Sequence, residues 1–251
     1  MNIKNRTSFV FAALVGMGMS GAAMAAPGYT LVQSPPSGEK SHKQMLSQVY
    51  GGTWSLASNG RDYSTSGMTA TRLADKGVNT PTSLTTGVSG TDNVWTGPAM
   101  TTVIAKAKYA GDNSVFGYFD DTSGSSTFHQ LFNTGTIGAE ATITLPAAFR
   151  FAIKDLTTGK TWTSRSSDNY GTGQYCDNTY DQLVTYKMSG SCNGQACDEW
   201  ALFWEDRPYG ASDRDFNDAM ITIQVCPAIP APATAGLLGL GALGVARRRR
   251  K

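Results

Sequence analysis

Between residues 205 and 218 the chain reads EDRPYGASDRDFND. Glu205, Asp206, Asp213, Asp215, Asn217 and Asp218 put six oxygen-bearing side chains into these 14 positions. Carboxylates this dense repel one another unless a positive charge joins them. Ca²⁺ is the expected partner, because it accepts six to eight oxygens in flexible geometry and suits Asp and Asn. Arg207 and Arg214 are the competing counter-charges. Turn residues that bond only their own backbone are the plainer alternative. The D-x-D-x-N spacing at 213, 215 and 217 is like the opening of an EF-hand loop. Asp218, however, stands where that loop needs Gly, and Gln224 where it needs a bidentate Glu. A calcium site here belongs to a loop between strands and draws further ligands from elsewhere. Asp120, Asp121, Asp177 and Asn178 qualify by residue type.

Other chemistries find less support. Glu205 and Asp206 with Asp213 or Asp218 are a conceivable glycosidase pair. Acids packed so tightly suit ligation better than a separated acid and nucleophile. No G-x-S-x-G, H-E-x-x-H or P-loop is present. Ser–His chemistry would rest on His42 or His129, the only two histidines. The expectation is a non-enzymatic protein. A carbohydrate-binding or adhesion module is the alternative, with Trp200, Trp204 and Tyr209 near the acids. Trp200 and Trp204 are an even number of residues apart, so a strand puts them on one face, which favours a buried stripe over a sugar platform.

Cys176, Cys192, Cys197 and Cys226 allow three pairings. The expectation leans to Cys192–Cys197 and Cys176–Cys226 disulfides, with a four-cysteine zinc site as the sharper alternative. No C-x2-C pair exists to favour zinc.

The elements that must position these residues are short strands. Thr101–Tyr109, Ser114–Phe119, Phe128–Phe132, Ala141–Leu145, Phe149–Ile153, Leu183–Met188, Glu199–Trp204 and Ala219–Val225 are apolar or alternating runs bounded by turn residues. One helix is expected over Ser41–Tyr50, capped by Ser41, with Met45, Leu46 and Val49 on one face. The fold class is all-β, a single β-sandwich or jelly-roll-like domain. Residues 111–226 form its core with the acidic loop. Residues 27–110 are either an elaborated part of the same domain or a loosely ordered extension.

The formal charge is +2, but it belongs to the ends. Lys4 and Arg6 lie in the first 26 residues, and Arg247, Arg248, Arg249, Arg250 and Lys251 close the chain. Without those seven bases, residues 27–246 hold 14 Lys and Arg against 19 Asp and Glu. A mildly acidic body argues against a nucleic-acid partner. Residues 1–25 read as a secretory signal peptide, with a basic start, an apolar stretch over Phe9–Met19 and an A-x-A cleavage site at Ala23 and Ala25. Residues 227–251 form a Pro/Ala linker, an apolar helix over Ala233–Ala246 and a basic cluster.

Two resemblances follow from these motifs. Pro230-Ala231-Pro232-Ala233-Thr234, Leu237 to Gly241 and Arg247 to Lys251 resemble the PEP-CTERM sorting signal of Gram-negative bacteria, with Ala231 in place of the usual Glu. That likeness implies export, transient anchoring in the inner membrane by the C-terminal helix, processing by an exosortase, and delivery to the cell surface or extracellular (biofilm) matrix. Trp204-Glu205-Asp206, then Asp213 to Asp218 before a strand, with Phe116-Gly117-Tyr118-Phe119 upstream, is similar to the secreted bacterial domain of unknown function 4114. It implies a β-rich extracellular module and no established reaction. The expected partners are the export machinery, an exosortase-like enzyme and, in the binding alternative, an extracellular polysaccharide.

Overall fold

The residue run WALFW at 200–204 does not alternate, and the fold explains why. A computed structural model describes residues 28–56, 61–75, 80–120, 127–169, 181–192, 195–208 and 211–225. The two cleavage-site alanines, Cys176, Cys226 and the sorting tail all lie outside these residues.

Besides one short 3₁₀ helix (Ser166–Asn169), one α-helix and fourteen strands are described. They are α1 (His42–Tyr50), β1 (Trp54–Leu56), β2 (Arg61–Ser64), β3 (Thr69–Arg72), β4 (Pro81–Ser83), β5 (Thr91–Thr96), β6 (Ala99–Lys108), β7 (Ser114–Asp120), β8 (Phe128–Asn133), β9 (Glu140–Leu145), β10 (Ala148–Asp155), β11 (Thr161–Thr163), β12 (Leu183–Cys192), β13 (Gln195–Trp204) and β14 (Ala219–Val225). The larger sheet has the order β1-β2-β3-β12-β13-β14-β6-β9. The smaller has the order β4-β5-β10-β7-β8, with β11 also paired to β10. Every expected strand is present, and the all-β class holds. The Ser/Thr-rich stretch before residue 100 supplies β1–β5, which lie at one end of each sheet.

The sheets pack face to face. Trp200, Leu202 and Trp204 of β13, Ile221 and Ile223 of β14 and Val103 of β6 meet Phe116, Phe149, Phe151, Ile153 and Trp162 from the smaller sheet. The opposite face of the larger sheet is also covered. Ala201 and Phe203 of β13, with Val184, Tyr186 and Met188 of β12, pack beneath Met45 and Leu46 of α1. A strand buried on both faces needs apolar residues at consecutive positions. All five tryptophans are buried, at 5% exposure or less, as the parity of Trp200 and Trp204 implied.

The expected helix is confirmed, with Ser41 as its N-cap and the Ser41 backbone N–H donating to Gln44 Oε1 at 2.8 Å. The Phe-Gly-Tyr-Phe run of β7 needs its glycine. A Cβ on Gly117 would lie 2.2 Å from the His129 carbonyl oxygen, where β7 and β8 shift register.

His42 pins α1 to the sheet and supplies the first prediction. Its ring stacks on Phe203 with centroids 4.0 Å apart. The Phe216 carbonyl accepts from Nε2 at 3.1 Å, so Nδ1 is free to accept from the Tyr186 hydroxyl at 3.2 Å. Burial pushes the imidazole pKa down from 6.5 to about 3. The unfolded chain therefore binds a proton that the folded chain refuses. The stability that goes with neutral His42 is intact above pH 6.5 and declines as pH falls toward 3, by at most about 1.4 kcal/mol per pH unit. Urea midpoints measured across this range are expected to fall more steeply for the parent than for His42→Leu. Parallel profiles would contradict a neutral buried His42.

Candidate metal centre

The register of β13 against β14 builds the first half of the site. Their last ladder pair is Trp204 and Ala219. Glu205 and Asp206 therefore leave the sheet opposite the point where Asp218 re-enters it. The Asp206 backbone N–H donates to Asp218 Oδ2 at 2.8 Å and closes the mouth of the loop. Glu205, Asp206 and Asp218 each present a carboxylate oxygen within 4.8 Å of the others.

This group also joins the two sheets. Ser114, at the start of β7, donates its hydroxyl to Asp206 Oδ2 at 3.2 Å, and the Trp162 indole of β11 donates to the Asp206 carbonyl at 2.8 Å. Lys108 Nζ lies 3.7 Å from Asp206 Oδ2. It gets there through a β-bulge. Met220 pairs with Ala107 but Ile221 pairs with Ala105, so Lys106 is the extra residue. The bulge reverses which face the next side chains take. Val103 and Ala105 enter the core between the sheets, whereas Ala107 packs on the α1 side.

The second half sits in the loop itself. Asp213 and Asp215 form a group with Glu39, again with oxygens within 4.8 Å of one another. Glu39 lies just before α1 and was not among the sequence candidates. Only its acidity marked it, and it is far from the acidic run in the chain. Two non-glycine residues of the loop, Arg214 (φ 64°) and Phe216 (φ 55°), are left-handed. That backbone is costly for residues with a Cβ. Burial of the Phe216 ring against the α1-side core, at 2% exposure, offsets the cost. Asp215 Oδ1 accepts from the Asn217 backbone N–H at 3.1 Å, an Asx turn.

The electrostatics of the first group are unfavourable as they stand. Glu205 and Asp206 are 3% and 1% exposed, and Glu205 Oε2 and Asp206 Oδ1 are buried without hydrogen-bond partners. Burial, then repulsion from Asp218, pushes the Glu205 pKa up to about 10. The same two causes raise Asp206 to about 7, with Lys108 pulling the other way. Burial also raises Asp215 to about 7, opposed by the Asn217 backbone N–H. Arg207, a candidate counter-charge, turns instead to Asp112 outside the run, with Nε 2.8 Å from Oδ2.

Both groups border a cavity of about 250 Å³ whose wall includes Glu39, Tyr109, Glu205, Arg207, Asp213 and Asp218. The arrangement suits a hard cation held by oxygens. All six sequence candidates thus come together around the β13–β14 connection, divided between two groups, with Asn217 beside the second. Asp120 ends β7 and joins neither group. Asp121, Asp177 and Asn178 lie outside the described residues. The β12–β13 ladder sets Cys192 opposite Gln195 and Cys197 opposite Gly190. The cysteine side chains lie outside the description, as do both partners of the Cys176–Cys226 pairing.

A further acidic group escaped the sequence reading, because its members are far apart in the chain. Asp75, Asp92 and Asp181 are all buried. Arg72 pairs with Asp75 at 2.9 Å. The Thr30 backbone N–H donates to Asp75, and its hydroxyl donates to Asp181 at 2.7 Å. These bonds fasten the start of the N-terminal arm to the body.

A model of the PEP-CTERM protein-sorting motif matches residues 228–251, and no curated protein matches the chain. The motif supports an exported, sorting-tagged surface protein and implies processing by an exosortase-like enzyme. No helix among the described residues is long and apolar enough to cross a membrane. The apolar run at 233–246 lies outside them.

Proposed function

We propose that this is a non-enzymatic module of the cell surface or extracellular matrix, whose sandwich is braced by calcium at Glu205, Asp206 and Asp218. One observation carries the reading. Three carboxylates converge within 4.8 Å, and two of them are almost wholly buried with an unpartnered oxygen each. A divalent ion removes their mutual repulsion and supplies the missing partner. Asp206 is hydrogen-bonded to Ser114 and Trp162, so an ion there ties the larger sheet to the smaller one. Loop sites of extracellular modules bind calcium at about 10⁻⁴–10⁻³ M, which fits a protein exported to the surface.

The test is thermal unfolding of the full chain in EGTA and then in excess Ca²⁺. At about 100 times the dissociation constant the folded state gains about 2.7 kcal/mol. For a chain of this size that is a rise in Tm of roughly 5–10 °C. Asp218→Asn keeps an acceptor for the Asp206 N–H and is expected to reduce the rise markedly. A protein whose Tm ignores Ca²⁺, or whose response is undiminished in Asp218→Asn, would overturn the proposal.

The open cavity beside the acids favours a second reading, calcium-dependent binding of a surface polysaccharide. With all five indoles buried, such a ligand would be held through the ion and the wall formed by Tyr109 and Arg207. A glycan array blank in the presence of Ca²⁺ would remove it.

A further inference from the structure

We infer that Glu39, Asp213 and Asp215, together with the amide of Asn217, hold a second divalent cation that latches the N-terminal arm, residues 28–41, onto the β13–β14 loop. The inference rests on the calcium reading of the neighbouring group for the choice of ion. Its ligands are its own.

The arm and loop are already aligned. The Gln33 backbone N–H donates to the Arg214 carbonyl at 2.9 Å, and His42 Nε2 donates to the Phe216 carbonyl at 3.1 Å. Asp215 lies between these two anchors and faces Glu39. Like charges brought together at the centre of a zipped seam need something positive between them.

Asn217 supplies the independent observation. Its side chain is fully buried and reaches into the acidic group, yet its Oδ1 has no hydrogen-bond partner. The other end of the amide meets three acceptors: Asp215 Oδ2 at 2.6 Å, Glu39 Oε2 at 3.1 Å and the Lys40 carbonyl at 3.2 Å. An amide nitrogen has two hydrogens for three acceptors, while the amide oxygen goes unsatisfied. A half-turn of the amide places Oδ1 among those oxygens. Spacings of this size suit neighbouring oxygens of one shell with metal–oxygen bonds of about 2.3–2.6 Å. Without an ion that orientation is repulsive, and with one it satisfies the buried oxygen. Glu39, Asp213, Asp215, Asn217 and the Lys40 carbonyl then form an all-oxygen set, and the adjoining cavity leaves room for water.

The experiment uses the full chain, stripped with EGTA and titrated with Ca²⁺ in a calorimeter. The parent is expected to bind two ions per chain, Glu39→Gln one and Glu205→Gln one. Trypsin cleavage after Lys40 and Lys43 gives the second readout. Calcium is expected to slow it about tenfold in the parent and in Glu205→Gln, but not in Glu39→Gln. Asp213 is exposed, so Asp213→Asn leaves the core intact and is expected to repeat the Glu39→Gln result. A parent that binds one ion, unchanged by Glu39→Gln and lost in Glu205→Gln, would overturn the latch and leave the bracing site standing. One ion lost in Glu39→Gln and kept in Glu205→Gln would overturn the bracing site and leave the latch. A parent that binds no ion would overturn both.

Discussion

Trp204→Ala is expected to cost about 3–5 kcal/mol of stability, enough to lower Tm by roughly 10 °C or more. Trp204 is wholly buried between the sheets, with its ring edge-on to Phe116 at 6.1 Å. No larger side chain stands at the end of β13, and its removal leaves a cavity the two sheets cannot close without shifting. Its indole N–H has no hydrogen-bond partner. Trp204→Phe therefore gives up volume but no bond, and is expected to cost only about 1–2 kcal/mol. The two variants separate packing from polar anchoring when compared by urea unfolding. Trp204 is also the last paired residue before Glu205, so the alanine variant is expected to weaken calcium binding as well. An alanine variant within about 1 kcal/mol of the parent would refute the central role given to this side chain.

The second large effect changes sign with the metal. Glu205→Gln keeps the shape of the side chain and removes its charge. A buried carboxylate beside another acid is costly to ionise, so without an ion the folded protein keeps Glu205 protonated at neutral pH. Taking up that proton opposes folding, and glutamine needs none. In EGTA the variant is expected to be more stable than the parent by on the order of 2–3 kcal/mol. At about 100 times the dissociation constant the parent's gain of about 2.7 kcal/mol closes that gap, and at higher Ca²⁺ the order reverses, because the parent gains an ion that the variant holds poorly. Crossing of the two Tm curves along a calcium titration is the signature. A variant less stable in both conditions would mean that Glu205 serves the fold through a bond of its own rather than through an ion.

Much of this architecture is legible in the residues, and the parts that are not share a physical reason. β6 to β10 and β12 to β14 announce themselves as apolar runs between turn residues. β1 to β5 do not, because they are mostly three to six residues long, rich in Ser and Thr, and lie toward the ends of the sheets where burial is partial. The acidic run was visible as a cluster, since its members are neighbours in the chain. Glu39 was not, because only the path of the N-terminal arm across the loop brings it there. Lys108 shows the limit most clearly. Strict alternation along β6 would send it to the α1 side, and a single bulged residue, Lys106, turns it toward Asp206. His42 follows a polar stretch and precedes a lysine, yet it is buried because the helix it opens lies on Phe203.

The position of β14 sets what the larger sheet needs in order to close. It is the last described strand in the chain, yet it is not at an edge: it lies between β13 and β6. Until residues 219–225 are in place, β13 and β6 have open edges toward each other, and the larger sheet is two unjoined halves. Sheet closure therefore waits on the last described strand of the chain. The sheet is thus all or nothing at this strand: a chain truncated before residue 219 keeps every other described strand yet cannot join its two halves.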